Sequence, residues 1–291
     1  MTILTGKINR SQPQEEPKPL ILETQGLTRR FGKLTAVNNL NISVEQGEVF
    51  GLLGPNGAGK STVIKMLTTL LPISAGKATL AGYDVARESN PVRRAIGYVP
   101  QALSADGSLT GYENLLIFAK LYGIPAKGRD RRIYEILEYM GLQDAAKRLV
   151  RNYSGGMIRK LEIGISVLHQ PQILFLDEPT VGLDPIARTQ VWQLVLQLCA
   201  DYGTTIFLTT HFLEEADSLC NRVAIMQQGE VVTTGRPSDL KASLDNPNAT
   251  LDDVFIHYTG DQLTSGVTIW TSFLLAFWLR VFCLWQFLAV G

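Results

Sequence analysis

The segment 54–61 contains the residue types that bind a phosphate group. It reads Gly-Pro-Asn-Gly-Ala-Gly-Lys-Ser and matches the pattern GxxxxGK[ST]. Glycines let successive backbone N–H groups approach an anion closely, and the N-terminus of a following helix adds its dipole. Lys60 supplies a positive charge for outer phosphates, and Ser61 supplies a hydroxyl for Mg²⁺. The alternative is a glycine-rich turn that contains a lysine by chance.

Two adjacent acids, Asp177 and Glu178, follow the apolar run 173–176. A carboxylate at the end of a buried strand can hold Mg²⁺ directly or through water, which is the role we expect for Asp177. A second carboxylate can polarise an attacking water as general base, which is the role we expect for Glu178. The alternative is that both acids cap the turn before Pro179.

Two further positions have the residue types of a ligand site. Ser154, Gly155 and Gly156 precede a predicted helix over 157–168, and a serine N-cap followed by glycines exposes backbone N–H groups to an anion. Such a site has no phosphate of its own and requires a partner; the alternative is an ordinary capped helix. His211 follows a second apolar run, at the edge of a parallel sheet where ligands gather, and the alternative is a structural histidine.

These residues are predicted to lie on the elements of an α/β fold. The continuous apolar runs 173–176 and 205–208 are typical of strands buried on both faces, as in a parallel sheet covered by helices. Shorter strands are predicted at 21–24, 34–37, 42–44 and 49–53. Residues 222–233 are predicted to form a hairpin that turns at Gln228 and Gly229.

Helices are predicted between and after these strands. From about Gln101 to Leu149 the apolar positions follow a helical period, so a helical insert interrupts the α/β chain. A helix with Pro185 at its first position follows, and a last helix covers 251–258. Capping residues are predicted at Asp184, Gly203, Thr250 with Asp253, and Gly260.

The composition is that of an ordinary globular chain. Its 291 residues, at about 150 per domain, suggest two structural units. Hydrophobic residues make up 45% and charged residues 19%, which excludes disordered, collagen-like and disulfide-stapled classes. The 27 basic residues balance 27 acidic ones, so the charge does not favour a nucleic-acid partner. Three cysteines without CxxC spacing favour a reducing, cytosolic compartment over a metal cluster.

The two ends of the chain differ from its middle. Residues 1–19 are polar and are predicted to form a flexible tail, without the apolar core of a signal peptide. In the apolar extension 261–291, positions 262–291 contain one charge, Arg280, and three of the four tryptophans. The extension is long enough to span a bilayer, but Arg280 weighs against insertion. The alternatives are a contact with the membrane or a membrane protein, and an extension unrelated to the domain.

The order and spacing of these motifs resemble the ATP-binding subunit of an ABC transporter, most closely the drug-export branch typified by daunorubicin-resistance ATPases. In that family's terms, residues 54–61 match the Walker A loop, 173–178 the Walker B strand and 153–157 the signature motif. The signature has tyrosine and methionine at its ends where leucine and glutamine are usual. The resemblance covers residues 20–260. It implies a P-loop NTPase (RecA-like) core with an antiparallel β subdomain and a helical signature subdomain over about 101–168.

The resemblance also implies roles for the matched residues. Catalytic roles fall to Glu178, to His211 as the switch histidine and to Gln101 of the glutamine loop. Nucleotide binding falls to Gly54, Pro55, Asn56, Gly57, Ala58, Gly59, Lys60, Ser61 and Thr62, and to Phe31 as the aromatic residue that stacks on adenine. Mg²⁺ would be held by Ser61, Gln101 and Asp177. The D-loop is represented by Asp184, and Ser154, Gly155 and Gly156 would face the ATP of a partner. A strand phenylalanine that faces the core is the alternative for Phe31.

The implied assembly is a head-to-tail homodimer that holds two ATP molecules between the Walker A loop of one copy and the signature of the other. Closure and reopening of this dimer would power export through a separate integral-membrane permease, at the cytoplasmic face of the cell membrane. The helical insert would carry this coupling, because Gln101 senses the nucleotide at its hinge.

Two other functions are alternatives. A soluble ABC ATPase that acts on nucleic acid or ribosomes usually has two nucleotide domains or a long coiled-coil insertion, whereas this chain has one P-loop and an insert of about fifty residues. An inactive nucleotide-binding regulator would lack a base or a switch residue, but both Glu178 and His211 are present. An exporter ATPase is therefore the leading hypothesis.

Overall fold

The computed structural model describes residues 18–260, and two β-sheets form its framework. The strands are β1 (Leu20–Phe31), β2 (Leu34–Leu40), β3 (Ser43–Glu45), β4 (Val49–Leu53), β5 (Ala75–Leu80), β6 (Tyr83–Asp84), β7 (Ile96–Val99), β8 (Ile173–Asp177), β9 (Thr205–Thr210), β10 (Arg222–Gln227) and β11 (Glu230–Gly235). The α-helices are α1 (Lys60–Leu67), α2 (Ser89–Ala95), α3 (Gly111–Leu121), α4 (Ala126–Tyr139), α5 (Gly155–Val167), α6 (Pro185–Tyr202), α7 (Leu213–Leu219), α8 (Pro237–Ala242) and α9 (Leu251–Thr259). Most of the predicted N-terminal tail and the extension 261–291 lie outside the described residues.

A six-stranded sheet has the strand order β11-β10-β4-β9-β8-β7. The pairs from β10 to β7 are parallel, and β11 is antiparallel at the edge. Every residue of β4, β8 and β9 is buried. The parallel sheet predicted from the continuous apolar runs is therefore confirmed, and the carboxyl ends of its central strands meet at one edge.

The second sheet is antiparallel, with the order β2-β1-β5-β6 and β3 paired with β1. It shares a hydrophobic core with α1 and one face of the parallel sheet. Within that core, the ring centre of Phe207 lies 5.5 Å from that of Phe50 and 5.3 Å from that of Phe175. The predicted antiparallel β subdomain is thus present, and its packing holds the P-loop strand and helix in place.

The helical insert contains α3, α4 and α5, whose buried side chains join the core on the other face of the parallel sheet. Ile133, Ile136 and Leu137 are buried, as their helical spacing predicts. The insert does not begin as a helix at Gln101. Residues 100–110 are irregular, and a capping box formed by Thr110 and Glu113 sets the start of α3. Gln101 consequently lies on a loop between β7 and α3.

The predicted helix ends are confirmed where the sequence gives a capping signal. Asp184 caps α6 by accepting a 2.9 Å hydrogen bond from the backbone N–H of Ala187, and Gly203 ends the helix with φ of 64°. The capping box at the start of α9 and the left-handed Gly260 at its end are also present. None of the helices within residues 18–260 combines the length and the hydropathy that crossing a membrane requires.

Candidate functional site

The loop between β4 and α1 forms the floor of the site. It leaves a fully buried strand and enters the helix through Gly57 and Gly59, whose φ angles are 84° and 107°. Such left-handed angles favour glycine, and a Cβ at Gly59 would also lie 2.5 Å from the carbonyl oxygen of Ala36. The glycine pattern therefore reflects a backbone shape that larger residues would disrupt.

Lys60 is the first residue of α1 and is only 4% exposed. Its Nζ donates hydrogen bonds to the carbonyl oxygens of Gly54 (2.8 Å) and Pro55 (3.1 Å). The same Nζ lies 3.2 Å from Oε1 of Glu178. In this conformation, the ammonium group is fully satisfied by groups of its own chain, at the N-terminus of a helix where anions are favoured.

Asp177 is placed beside α1 by the pairing of two parallel strands. The hydroxyl of Ser61 donates to Oδ1 of Asp177 at 3.0 Å. Thr209, which is the register partner of Asp177 on β9, donates to the same oxygen at 2.7 Å. A hydroxyl and a carboxylate oxygen side by side form the hard oxygen set that Mg²⁺ prefers.

Glu178 is the point at which the site residues converge. Its Oε2 accepts a 3.2 Å hydrogen bond from the Gln101 amide and lies 3.2 Å from Nδ1 of His211. The side chain is 6% exposed, and its backbone φ is 48°, a strained value for a residue other than glycine. The backbone oxygen and the hydroxyl of Thr209 both accept from the Glu178 N–H at 3.1 Å, which holds this conformation.

The electrostatic surroundings keep Glu178 ionised. Burial alone would raise the pKa of its carboxyl group, but the His211 imidazole and the Lys60 ammonium outweigh burial and lower the pKa. The charged form is the one that can accept a proton from water.

A cavity of about 240 Å³ opens over these groups, and Asn56, Lys60, Ser61, Gln101 and Glu178 are among the residues that line it. A larger cavity of about 370 Å³ lies between α4, the end of α5 and α6. There the Tyr139 hydroxyl is already bonded to Asp201 at 3.0 Å. We assign the functional site to the smaller cavity, because the charged and polar side chains of Lys60, Gln101 and Glu178 converge on it.

The signature segment lies apart from this cavity. Ser154 caps α5 by accepting from the Met157 N–H at 3.3 Å, and both Ser154 and Gly155 are exposed. Gly156 is buried because α5 approaches α6 closely: a Cβ there would lie 2.7 Å from Cβ of Ala187. Within residues 18–260, none of these three residues lines the cavity of Lys60 and Glu178.

Two more predicted site residues, Phe31 and Asp184, lie elsewhere. Phe31 is 42% exposed at the end of β1, with the Arg29 guanidinium 4.5 Å from its ring centre, so the core-facing alternative is wrong. Asp184 uses its side chain to cap α6, next to the signature helix. The roles assigned to these residues stay predictions.

Sequence reasoning missed two residues that organise the site. Thr209 holds both acids, a role that depends on the register between β8 and β9. Oε1 of Glu215 on α7 is buried and accepts from the Thr180 hydroxyl and the Trp192 ring N–H, both at 2.9 Å. It thereby ties the segment after Glu178 to α6 and α7. An acid inside an otherwise apolar helix face was the available signal for Glu215.

The chain is similar to known ATP-binding proteins. A family model described as ABC transporter matches residues 37–181. The linearmycin resistance ATP-binding protein LnrL of Bacillus subtilis (strain 168) is 41% identical over 77% of this chain and 72% of its own length. The daunorubicin/doxorubicin resistance ATP-binding protein DrrA of Streptomyces peucetius is 47% identical over 77% of this chain and 67% of its own length.

Solved structures show the same fold. A structure of the ATP-binding subunit of an ABC transporter superposes with a TM-score of 0.73 at 29% identity, over 82% of this chain and 99% of that one. A dimeric ATP-binding cassette in a post-hydrolysis state with ADP and Pi superposes with a TM-score of 0.66 at 25% identity, over 74% and 98%. The chain therefore belongs to the ABC transporter family, as an ATP-hydrolysing nucleotide-binding subunit.

Proposed function

We propose that this chain powers export by a separate integral-membrane permease, on whose cytoplasmic face it sits as a homodimer. The observation that carries the proposal is the convergence of Lys60, Gln101 and His211 on the carboxylate of Glu178. The names of the relatives, which are resistance ATP-binding proteins for linearmycin and daunorubicin, support export as the process. We propose the domain to be residues 20–260.

Residues 54–62 bind the phosphates of ATP in this proposal. The buried position of Lys60 at the start of α1 supports this role, because a phosphate there can replace the two carbonyl oxygens and Glu178 as its partners. Exposed Phe31 offers a ring face on which adenine can stack. Binding therefore separates Lys60 from the carboxylate that must act next.

Ser61, Asp177 and Gln101 are the residues that would hold Mg²⁺. Their hydroxyl, carboxylate and amide oxygens suit this ion, and Ser61 and Asp177 already lie within hydrogen-bond distance of each other. When bound, Mg²⁺ neutralises charge on the phosphate oxygens. Thr209 keeps Asp177 oriented through its 2.7 Å hydrogen bond.

Glu178 is the general base of the proposed reaction. Its lowered pKa keeps it as a carboxylate that accepts a proton from the attacking water. His211 and Gln101 orient it from two sides. His211 also lies beside Phe212, with ring centres 4.2 Å apart, which limits the positions of its imidazole.

The second copy supplies the other half of each ATP site. Ser154 and Gly155 are exposed at the N-terminus of a 13-residue helix, and that position favours an anion from outside the chain. Asp184 lies at the start of the adjacent helix α6 and would contact the partner as the D-loop. The dimeric ADP-bound relative supports this arrangement.

Two measurements on the full chain test the proposal. The purified chain is expected to hydrolyse Mg-ATP, and purification from detergent-solubilised membranes is expected to bring an integral-membrane protein with it in a fixed ratio. A Lys60→Ala variant should lose hydrolysis but keep the membrane protein. Recovery of RNA or ribosomal protein in place of a membrane protein would contradict the export proposal.

A further inference from the structure

The signature helix α5 contains two opposite charges that are almost fully buried. Arg159 is 1% exposed and Glu162 is 3% exposed, with 3.1 Å between Nη1 and Oε2. Removing two charges from water costs several kcal/mol per ion, so such a pair persists only where further hydrogen bonds satisfy it. The question is which groups those are.

The guanidinium group of Arg159 binds the backbone of the glutamine loop. Nη1 donates to the carbonyl oxygen of Pro100 at 2.7 Å, and Nη2 donates to that of Gln101 at 2.8 Å. The planar fork of a guanidinium matches two successive carbonyl oxygens in a way that a lysine ammonium does not. The backbone of Gln101 is therefore fixed by a residue of the signature helix.

Glu162 binds the same loop three residues further on. Its Oε1 accepts from the backbone N–H and the hydroxyl of Ser104, the latter at 3.1 Å, and from the N–H of Ala105 at 3.3 Å. Residues 100–105 form no helix or strand, so side chains such as these supply partners for their backbone groups. We call Arg159 and Glu162 together the loop clamp.

The loop clamp lies between the exposed N-cap of α5 and the side chain of Gln101. Arg159 lies five residues after Ser154, the exposed N-cap at which a second copy would engage. Gln101, whose carbonyl oxygen it binds, donates its side-chain amide to Glu178 at 3.2 Å. Helix α5 thus links its partner-facing end to Arg159. Two charge-assisted hydrogen bonds, from Arg159 to Gln101 and from Gln101 to Glu178, continue this link to the proposed general base of the same chain.

We propose that Arg159 and Glu162 are positioning residues that make the signature helix and the glutamine loop move as one body. Engagement of a second copy at Ser154 then sets the position of Gln101 against Glu178 within the same chain, so that each ATP site reports to the other. This inference rests on the proposed dimeric ATPase function. The competing explanation is that the pair only stabilises the helical insert.

A double variant, Arg159→Met with Glu162→Leu, separates the two explanations. Replacing a buried ion pair by apolar residues of similar volume often leaves stability unchanged, while the loop loses its anchors. Lys160→Met is the matched control, because it removes a charge from the same helix at a residue that bonds only Gln190, at 3.4 Å, among the contacts within residues 18–260. Arg159→Lys restores the charge without the fork.

We expect the double variant to bind Mg-ATP as a monomer within about twofold of wild type, while kcat falls roughly 10-fold to 100-fold, as for other residues that orient a metal or catalytic ligand. The Hill coefficient for ATP should fall to one. Hydrogen exchange should show lost protection at Ser104 and Ala105 with α5 still protected. Arg159→Lys should recover only part of kcat, and Lys160→Met should match wild type.

Wild-type kcat and Hill coefficient in a double variant that has lost loop protection would overturn the inference. So would a fall in kcat that follows only the loss of folded protein in thermal unfolding. If the wild-type chain itself does not hydrolyse Mg-ATP, the result contradicts the proposed function, and the inference fails with it. Cooperative wild-type hydrolysis with an unaffected double variant overturns the inference alone.

Discussion

Helices α1 and α5 both direct an N-terminus at a position suited to phosphate, but they differ in what already occupies it. At α1, the buried Lys60 is bonded to Gly54, Pro55 and Glu178. At α5, Ser154 and Gly155 are exposed, and the cap is made by the serine hydroxyl alone. The groups at α1 are therefore paired within one chain, whereas the end of α5 is open, as its proposed role of facing the ATP of a second copy requires.

This difference separates two steps of the proposed cycle. Nucleotide binding at α1 must exchange internal partners of Lys60 for phosphate oxygens, which releases Glu178 from its ion pair. At α5, a partner phosphate would meet the exposed Ser154 and Gly155, where the Ser154 hydroxyl bonds the Met157 N–H at 3.3 Å and, within residues 18–260, no ion pair has to be broken. Substitutions at the two ends should therefore affect binding, turnover and dimerisation separately.

The largest effect is expected for Glu178→Gln, which keeps the shape of the side chain and removes the proton acceptor. We expect kcat to fall on the order of 10²-fold to 10⁴-fold while ATP binding persists. ATP then stays bound between the N-terminus of α1 and that of α5 in the second copy, and an ATP-bound dimer accumulates. Gel filtration with Mg-ATP checks this outcome. A monomer that still hydrolyses ATP would show that the base is a different residue.

Lys60→Ala is expected to have the next largest effect, on affinity itself. Hydrogen bonds to charged groups contribute about 1.5–3 kcal/mol, so ATP should bind roughly 10-fold to 100-fold more weakly to the monomer. Lys65→Ala, an exposed lysine of the same helix, is the matched control and should bind ATP normally. Equal ATP affinities of the two variants in equilibrium dialysis would break the distinction between α1 and α5.

Ser154→Ala should change dimerisation and leave monomer affinity alone. Loss of an N-cap costs about 0.5–2 kcal/mol, and the partner phosphate also loses a hydroxyl donor, so the ATP-dependent dimer should weaken roughly tenfold. Thr250→Ala removes the N-cap of α9 and serves as control for stability. If Ser154→Ala lowers monomer affinity as much as Lys60→Ala does, α5 is not a half-site for a partner.

The smallest effect is expected on deletion of residues 262–291. Both helix N-termini and every residue assigned to the site lie within 18–260, so ATP hydrolysis by the isolated chain should stay unchanged while solubility improves. Circular dichroism establishes that the truncated chain is folded. A folded truncated chain without activity would assign the extension to the catalytic domain.

Local signals in the sequence were sufficient for much of the fold. The glycine pattern of the P-loop, the caps at Asp184 and Thr250, and the continuous apolar strands all depend on residues close together in the chain. Each one could be identified because backbone angles or local hydrogen bonds require particular residue types there. The predicted start of the helical insert, at about Gln101, differs from the observed start of α3 at Gly111. The helical period had been extended into a loop that ends at a capping box.

The residues that organise the site were not predictable in this way. Thr209 acts on Asp177 and Glu178 through the register of two strands about thirty residues apart in sequence. Arg159 and Glu162 read as an ordinary i,i+3 pair, and only the packing of a distant loop against α5 buries them. Partners of this kind are set by tertiary contacts, which neither composition nor periodicity encodes.

The close crossing of α5 and α6 at Gly156 and Ala187 has a consequence for how this sequence can evolve. A methyl group at the glycine would lie 2.7 Å from the alanine Cβ, so position 156 has no room for a side chain while alanine stands at position 187. A larger residue at either position would have to be matched by a backbone shift of both helices. We therefore expect positions 156 and 187 to change together or not at all among descendants of this gene. Substitutions in the signature segment would then be coupled to substitutions in the segment that follows Asp184.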